Sequence, residues 1–476
     1  MINKQEQSRR QFLRNASMAS MAGLAVSPFM LELNSVVAMA QQSTPSDYKA
    51  LVCVFLSGGN DGHGSVIATD AASFSAFTTA RSGAPGLAYA QNTLLPIAPL
   101  TPQSGRTFAL NPYLTGVQNL FNAGRAAIIS NTGTLIAPTT KAQIQANSVP
   151  LPASLYSHFD QTAAWQAIDA TGGSAIHTGW GGAMADLIAS MNSNSAFTCI
   201  STSGIALFLS GLTSYQLNVT SAGPIPIGGL AQPLFGQQAG TNALTNILTA
   251  SEANLFAKEY EVVINRSTAA QATLATSMLT AGPTGIPNPP QYLDPITNKL
   301  TNNNFATSMQ TVARIIGGRS GLGVTRQIFY VTLGGFDTHD NQGPQIARLL
   351  TQLGAGLEYF DAVMTTAGVS DQVTTFTASD FGRTLTANSD GTDHGWGSHH
   401  IVVGGAVKGQ DMYGTYPVIG SNQANDMGAG RLIPTTSVEQ YAGTLARWFG
   451  LSDTQVKEVF PNFTNFGSSP YMGFMG

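Results

Sequence analysis

Apolar residues along the chain follow two alternating rhythms. Short runs rich in β-branched and aromatic side chains occur at 50–56, 126–130, 197–201, 205–209, 327–333, 373–378 and 400–404, and these read as strands. Between them, apolar positions recur at i, i+3, i+4 and i+7, the spacing of a helix with one buried face. The longest such stretch is 342–366, where Ile346, Leu349, Leu350, Leu353, Leu357, Phe360, Val363 and Met364 share a face. A second stripe of Phe305, Met309, Val312 and Ile316 marks 304–317. Further helices are expected at 112–123, 157–169, 179–192, 242–280 and 437–449. Nearly continuous apolar strands alternating with helices predict an α/β fold, with a mostly parallel central sheet covered on both faces. Two segments break the rhythm. Residues 210–241 are rich in Gly, Pro, Ser and Gln, and 281–303 contain Gly282-Pro283 and Pro287-Asn288-Pro289-Pro290. Both are expected to be surface excursions or a cap on one domain spanning 41–476.

The first forty residues depart from this pattern. Ser8-Arg9-Arg10-Gln11-Phe12-Leu13-Arg14 is a charged segment with adjacent arginines. An apolar, small-residue stretch follows from Ala16 to Val37, and Ala38-Met39-Ala40 supplies a small-x-small cleavage pattern. This layout predicts a twin-arginine export signal over 1–40 and a mature protein in the periplasm or outside the cell. Pro28, Glu32 and Asn34 interrupt the apolar stretch, and it falls short of a clean span of ~20 apolar residues. No later stretch approaches membrane-spanning length and apolarity, so no stable span is expected after cleavage.

Charged residues make up only 10% of the chain and its net charge is −4. An average soluble chain carries roughly 25% charged residues. The polar surface must therefore come from Ser, Thr, Asn, Gln and Gly. Beyond the leader there is no Lys/Arg-rich run, which argues against nucleic acid as a partner. Cys53 and Cys199 both lie in apolar, strand-like runs. They read as buried free thiols or as a disulfide formed after export, and they do not make a structural zinc site.

The residues that carry chemistry gather where strands end. Open α/β sheets bind ligands at the carboxyl ends of their strands. Ser57-Gly58-Gly59-Asn60-Asp61 follows strand 50–56, so Asp61 is either a metal ligand or a turn aspartate bonded to its own loop. Gly334-Gly335-Phe336-Asp337-Thr338-His339 follows strand 327–333. Asp337 and His339 can converge on a divalent ion, or Asp337 or Thr338 can cap the helix that follows. Ser379-Asp380-Phe381-Gly382-Arg383 follows strand 373–378. There Asp380 is another strand-end carboxylate, and Arg383 either clamps an anionic oxygen or pairs with Asp380. His394, His399 and His400 lie within one Gly-rich stretch leading into strand 400–404; they are not expected to be core residues, and form either site groups, in a metal shell or as an acid/base, or a surface loop without a role. In Ser157-His158-Phe159-Asp160, Ser157 either caps a helix or serves as an activated nucleophile.

Taken together, the leader, Leu-Ser-Gly-Gly-Asn-Asp-Gly, Ser-His-Phe, Gly-Gly-Phe-Asp-Thr-His, Ser-Asp-Phe-Gly-Arg-Thr and Asp-His-Gly-Trp-Gly-Ser-His-His resemble a bacterial exported family, domain-of-unknown-function family 1501. The stretch Ala442-Gly443-Thr444-Leu445-Ala446-Arg447-Trp448-Phe449-Gly450 resembles its closing segment. That family resembles a branch of the alkaline phosphatase and sulfatase superfamily. The resemblance implies a three-layer α/β sandwich with a two-metal hydrolase site for phosphate or sulfate esters. It assigns Asp61, Asp337, His339, Asp380 and His399 or His400 to a divalent metal (Zn, Mg, Mn or Ca). Ser157 is then the nucleophile, Arg383 the oxyanion clamp, and His394 a further site group. Phe381 stands where the superfamily has a metal-binding histidine, which removes a ligand from the second site. The expected activity is metal-dependent hydrolysis of an anionic ester. The alternatives are an inactive exported binding or assembly protein on the same fold, and metal-free hydrolysis of another bond by Ser157 and a histidine.

Overall fold

The computed structural model describes residues 47–167, 178–230, 232–250, 254–420 and 422–476. The expected leader at 1–40 and the end of the expected helix 157–169 lie outside the described residues.

Eight strands make the body of the main sheet. They are β1 (Lys49–Ser57), β2 (Ala126–Gly133), β3 (Cys199–Ser201), β4 (Gln216–Thr220), β5 (Arg326–Gly334), β6 (Val373–Ser379), β7 (Ser398–Gly404) and β8 (Asp411–Tyr413). Their spatial order is β8-β2-β7-β6-β1-β5-β3-β4. The run β6-β1-β5-β3-β4 is parallel throughout. Strand β7 runs antiparallel to both of its neighbours. Its lead-in therefore lies at the same end of the sheet as the carboxyl ends of β1, β5 and β6.

Side chains alternate across a strand, and β1 shows how both faces are buried. Ala50, Val52, Val54 and Leu56 join one apolar core, while Leu51, Cys53 and Phe55 join the other. The first core is closed by helices α1 (Thr115–Asn122), α4 (Asn304–Gly317) and α5 (Gln342–Thr366). The second is closed by α2 (His158–Ala167), α3 (Trp180–Ile188) and α6 (Val438–Phe449). The result is a mixed α/β fold with a mostly parallel sheet between helices. The apolar stripes of α4 and α5 lie on the covered face, as their spacing predicts. Cys53 and Cys199 are buried and unpaired. Among the described residues, no helix is long and apolar enough to cross a membrane.

Several elements differ from the sequence pattern. The expected strand 205–209 is a 3-10 turn, Leu207–Leu209. Phe208 and Leu209 are buried, Phe208 against Trp180, while Ile205 is exposed, and the Phe208 N–H donates to Gln166 Oε1 at 2.9 Å instead of to a neighbouring strand. A short apolar run records burial and not backbone shape. The expected excursion 210–241 contains β4 and the two-residue strand Gly223–Pro224 beyond it, the last strands of the main sheet on that side. The segment 281–303 contains a small hairpin, Tyr292–Leu293 with Leu300–Thr301. The expected helix 242–280 is two helices, Gln238–Leu248 and Leu255–Ser277. Neither Asp337 nor Thr338 caps α5. Asn341 occupies that position at φ 44° without a side-chain cap.

Candidate metal centre

The loops after β1, β5 and β6 and the lead-in to β7 meet at one end of the sheet. Gly58 permits the meeting: it sits at φ +116°, and a Cβ there would stand 2.2 Å from the Asp337 backbone nitrogen. Its N–H donates to Asp380 Oδ1 at 3.0 Å, tying the β1 loop to the end of β6. A short antiparallel pair, Arg383–Ala387 with Thr392–His394, carries His394 over this crossing. The first turn of α2 brings His158 in from the opposite side.

Three imidazoles point at Asp337. Its Oδ1 lies 3.4 Å from His158 Nε2, 3.1 Å from His339 Nε2 and 3.3 Å from His394 Nε2. Donor atoms of His158, Asp337 and His394 lie within 4.8 Å of one another. His339 joins through its Nε2, 2.8 Å from His394 Nε2.

The far side of each ring explains why these nitrogens face inward. His158 Nδ1 lies 2.7 Å from Asp380 Oδ2, and His394 Nδ1 lies 2.7 Å from the Tyr156 carbonyl oxygen. A carboxylate and a carbonyl only accept, so both Nδ1 atoms carry a proton, and in the neutral ring each Nε2 presents a lone pair. His339 Nδ1 faces Asp393 Oδ1 at 3.5 Å. An acceptor on the outer nitrogen of each ring is the usual support of a metal-binding histidine. Phe381, buried, packs its ring 4.8 Å from His158 and 4.6 Å from His394, walling the two imidazoles in place.

The electrostatics agree with a cation site. Burial lowers the His394 pKa, the Tyr156 carbonyl opposes that, and neighbouring His158, Arg383 and His339 reinforce it, so the ring is neutral near pH 7. Partial burial works to raise the Asp337 pKa, but Arg383 and the surrounding histidines outweigh it and hold the carboxyl below its ordinary value. His158 Nε2 is buried without a hydrogen-bond partner. Lone pairs and a carboxylate aimed at one point repel unless a proton or cation lies between them. An orphaned, inward-facing Nε2 and a nitrogen-rich donor set fit a divalent ion.

The remaining sequence candidates lie elsewhere or are differently engaged. Asp61 is buried and forms a two-pronged pair with Arg81, both contacts 2.8 Å. It also accepts from Gln342 Nε2 at 2.8 Å and the Gly64 N–H at 3.0 Å. That is the turn-aspartate alternative with an added ion pair, and both oxygens are occupied. Asp380 reaches the cluster only through His158. The Arg383 guanidinium is fully buried and donates to the Gly58 carbonyl at 2.9 Å, to Asp337 Oδ1 at 3.1 Å and to the Thr392 hydroxyl and carbonyl. It does not pair with Asp380.

His399 and His400 belong to β7 and are buried in the core, away from the cluster. His399 Nδ1 accepts the Asn131 N–H at 3.0 Å. Its neutral ring must then carry the proton on Nε2, which leaves no lone pair for a metal. His400 is packed between Trp165 and Tyr441. Ser157 donates to Asp160 Oδ2 at 2.6 Å and accepts the Asp160 N–H at 3.4 Å, which is a cap on α2. His158 belongs to the cluster although the sequence pattern does not single it out. Its signal was present in the sequence, in a histidine placed directly after the candidate nucleophile at a helix start.

Residues 48–460 match the family model described as "Protein of unknown function (DUF1501)". The chain belongs to the DUF1501 family. No curated protein matches this DUF1501 chain. Among solved structures, it aligns with Ps i-CgsB in complex with k-i-k-neocarrahexaose at 10% identity, over 86% of this chain and 74% of that one, with a TM-score of 0.32. It also aligns with a Bacteroides thetaiotaomicron protein, from work on its metabolism of multiple glycosaminoglycans, at 9% identity, over 87% and 74%, with a TM-score of 0.32.

Proposed function

We propose that this DUF1501 protein is an exported, metal-dependent hydrolase of phosphate or sulfate esters, built on an alkaline phosphatase-like three-layer sandwich. The observation that carries the proposal is the convergence of His158, His339 and His394 on Asp337 at the ligand-binding end of the sheet. These four residues would hold one divalent ion, and Asp380, Asp393 and the Tyr156 carbonyl would fix the imidazoles. Imidazole-rich sites suit zinc and its transition-metal neighbours better than Mg or Ca, which favour oxygen donors. A bound ion there supplies Lewis-acid polarisation of an ester oxygen.

The chain's own groups do the rest. Asp380 keeps the His158 proton on Nδ1. Ser157, adjoining His158, is the nucleophile of this reading. Its hydroxyl already donates to Asp160 Oδ2, so Asp160 would take that proton as Oγ bonds to phosphorus or sulfur and the bond to the aryl oxygen breaks; the aryloxide leaves and takes up a proton, and water then cleaves the serine ester to free the serine and the inorganic anion. Export by the twin-arginine route suits a chain that folds around its ion before crossing the membrane.

A second reading, a binding protein on the same fold, draws on the closure of Asp61 by Arg81 and the engagement of Arg383, which leave donors for one ion only. Turnover of aryl sulfates and aryl phosphates by the zinc- or manganese-loaded chain separates the two. The hydrolase reading expects metal-stimulated release of the phenol. Asp337→Ala should lower it by 100-fold or more, and Ser157→Ala should abolish it while leaving metal bound. Metal binding without turnover of any ester would leave the binding protein. Unchanged turnover in Ser157→Ala would remove Ser157 as nucleophile.

A further inference from the structure

The cluster is rich in carboxylates. Asp337, Asp380 and Asp393 all lie at or beside it, and one divalent ion together with the buried Arg383 only balances their charge, so an anionic ester approaching the site meets no net attraction. The site needs a further cation to receive a tetrahedral oxyanion. Arg383 does not provide it, because its nitrogens are already engaged by Gly58, Thr392 and Asp337.

Arg431 differs. Its Nε donates to the His394 carbonyl oxygen at 3.1 Å, and its Nη1 approaches the Gly428 carbonyl at 3.5 Å. Its guanidinium lies over the Tyr156 ring, with Cζ 5.1 Å from the centroid. Nη2 makes no hydrogen bond to any described residue. The three residues form a closed circuit. His394 holds Arg431 through its carbonyl and Tyr156 through its ring, and Tyr156 supports the guanidinium face. Tyr156 adopts φ +74° to complete that circuit, a left-handed conformation that a tyrosine seldom takes.

The loop behind Arg431 is fixed as well. Buried Asp426 accepts the Gly428 and Gly430 N–H groups at 2.8 and 3.0 Å and the Asn422 N–H at 2.9 Å. The Gly430 carbonyl accepts the Leu385 N–H at 2.9 Å, and the Leu432 carbonyl accepts the Gly397 N–H at 3.0 Å. Arg431 is thus a half-buried, preorganised arginine, one hydrogen bond removed from a cluster histidine and with its Nη2 unengaged by any described residue. A planar donor fork held in this way binds sulfate or phosphate oxygens at small entropic cost.

We propose that Arg431 is the oxyanion-recognition residue of this centre, donating from its free Nη2 to a non-bridging oxygen of a sulfate or phosphate group. This rests on the reading above that the centre receives such groups, and it moves the clamp from Arg383 to Arg431. The test uses the metal-loaded full chain and its Arg431→Gln and Arg431→Lys variants. Calorimetry reads the affinity for inorganic sulfate and inorganic phosphate, metal analysis reads occupancy, and aryl ester kinetics read KM and kcat. Arg431→Gln should weaken both anions tenfold or more at unchanged metal occupancy, and should raise KM more than it lowers kcat. Arg431→Lys, which keeps the charge but loses the fork and the stacking, should fall in between.

Wild-type anion affinity in Arg431→Gln overturns the proposal, whatever the kinetics show. If Arg431→Gln fails to fold or loses its metal, Arg431→Lys decides: an intermediate loss supports the proposal and an unchanged affinity overturns it. A wild-type chain that binds these anions through Arg431 but turns over no ester would sink the hydrolase reading alone. Turnover that survives in Arg431→Gln with unchanged KM would sink the recognition role alone.

Discussion

Asp61, Asp337 and Asp380 each follow a strand of the same sheet, and their partners give them three different roles. Asp61 is locked to the fully buried Arg81, Asp337 faces three imidazole nitrogens, and Asp380 orients one of those imidazoles from behind. Two substitutions separate these roles. Asp61→Ala strands Arg81 as an uncompensated buried charge, which costs about 3–5 kcal/mol for such pairs. It should lower the denaturant midpoint sharply while the folded fraction binds metal with unchanged affinity. Asp380→Asn should do the reverse. An amide can donate to His158 Nδ1 and so place the ring proton on Nε2, and loss of such outer-shell carboxylates typically weakens metal binding by about 10–100-fold. Urea denaturation and metal titration of both variants check the pair. Loss of metal binding in folded Asp61→Ala would restore Asp61 as a ligand.

At the scale of elements, strands β1, β2, β3, β5, β6 and β7 and the two striped helices were readable because burial on both sheet faces writes continuous apolar runs, and burial on one helix face writes a 3.6-residue stripe; the short outer strands β4 and β8 were not. The position of the site at the strand ends was readable for the same reason. Which strand-end residues converge was not readable, because it depends on loops whose course no periodicity records. His399 and His400 illustrate this: they look like members of a Gly-rich loop, yet β7 begins at Ser398 and makes both of them core residues. His158 was hidden by the opposite effect, since Ser-His-Phe-Asp at a helix start already has a sufficient explanation as a cap.

The placement of β7 has a consequence for stability. Burial lowers the pKa of His400 to about 3 and of His63 to about 4, and that of His399 well below its ordinary value. Each is therefore neutral in the fold and ready to charge when unfolded, near pH 6.5. A depressed folded pKa means that the unfolded chain binds more protons in this window. Stability is present above about pH 6.5 and is lost as pH falls towards 4 and below, by up to about 1.4 kcal/mol per histidine per pH unit. Denaturation midpoints measured from pH 7 to pH 4 should fall steadily. His400→Phe, which keeps a ring between Trp165 and Tyr441, should flatten the decline; an unchanged slope would contradict the assignment.

For the molecule as a whole, a low charge content helps the site stand out. With only 10% charged residues, few carboxylates and imidazoles are available, and four of them meet beside one another where the loops cross. The proposed ester chemistry and the proposed arginine clamp both depend on whether that meeting point holds a metal. Inductively coupled plasma mass spectrometry of the chain from residue 41, dialysed against buffered zinc or manganese and then against metal-free buffer, addresses this directly. The account predicts one divalent ion per chain, retained in Asp61→Ala and lost when His158, Asp337 and His394 are replaced together by alanine in a chain that remains folded. Absence of a bound ion in the wild-type chain, or its full retention in the folded triple variant, would contradict it.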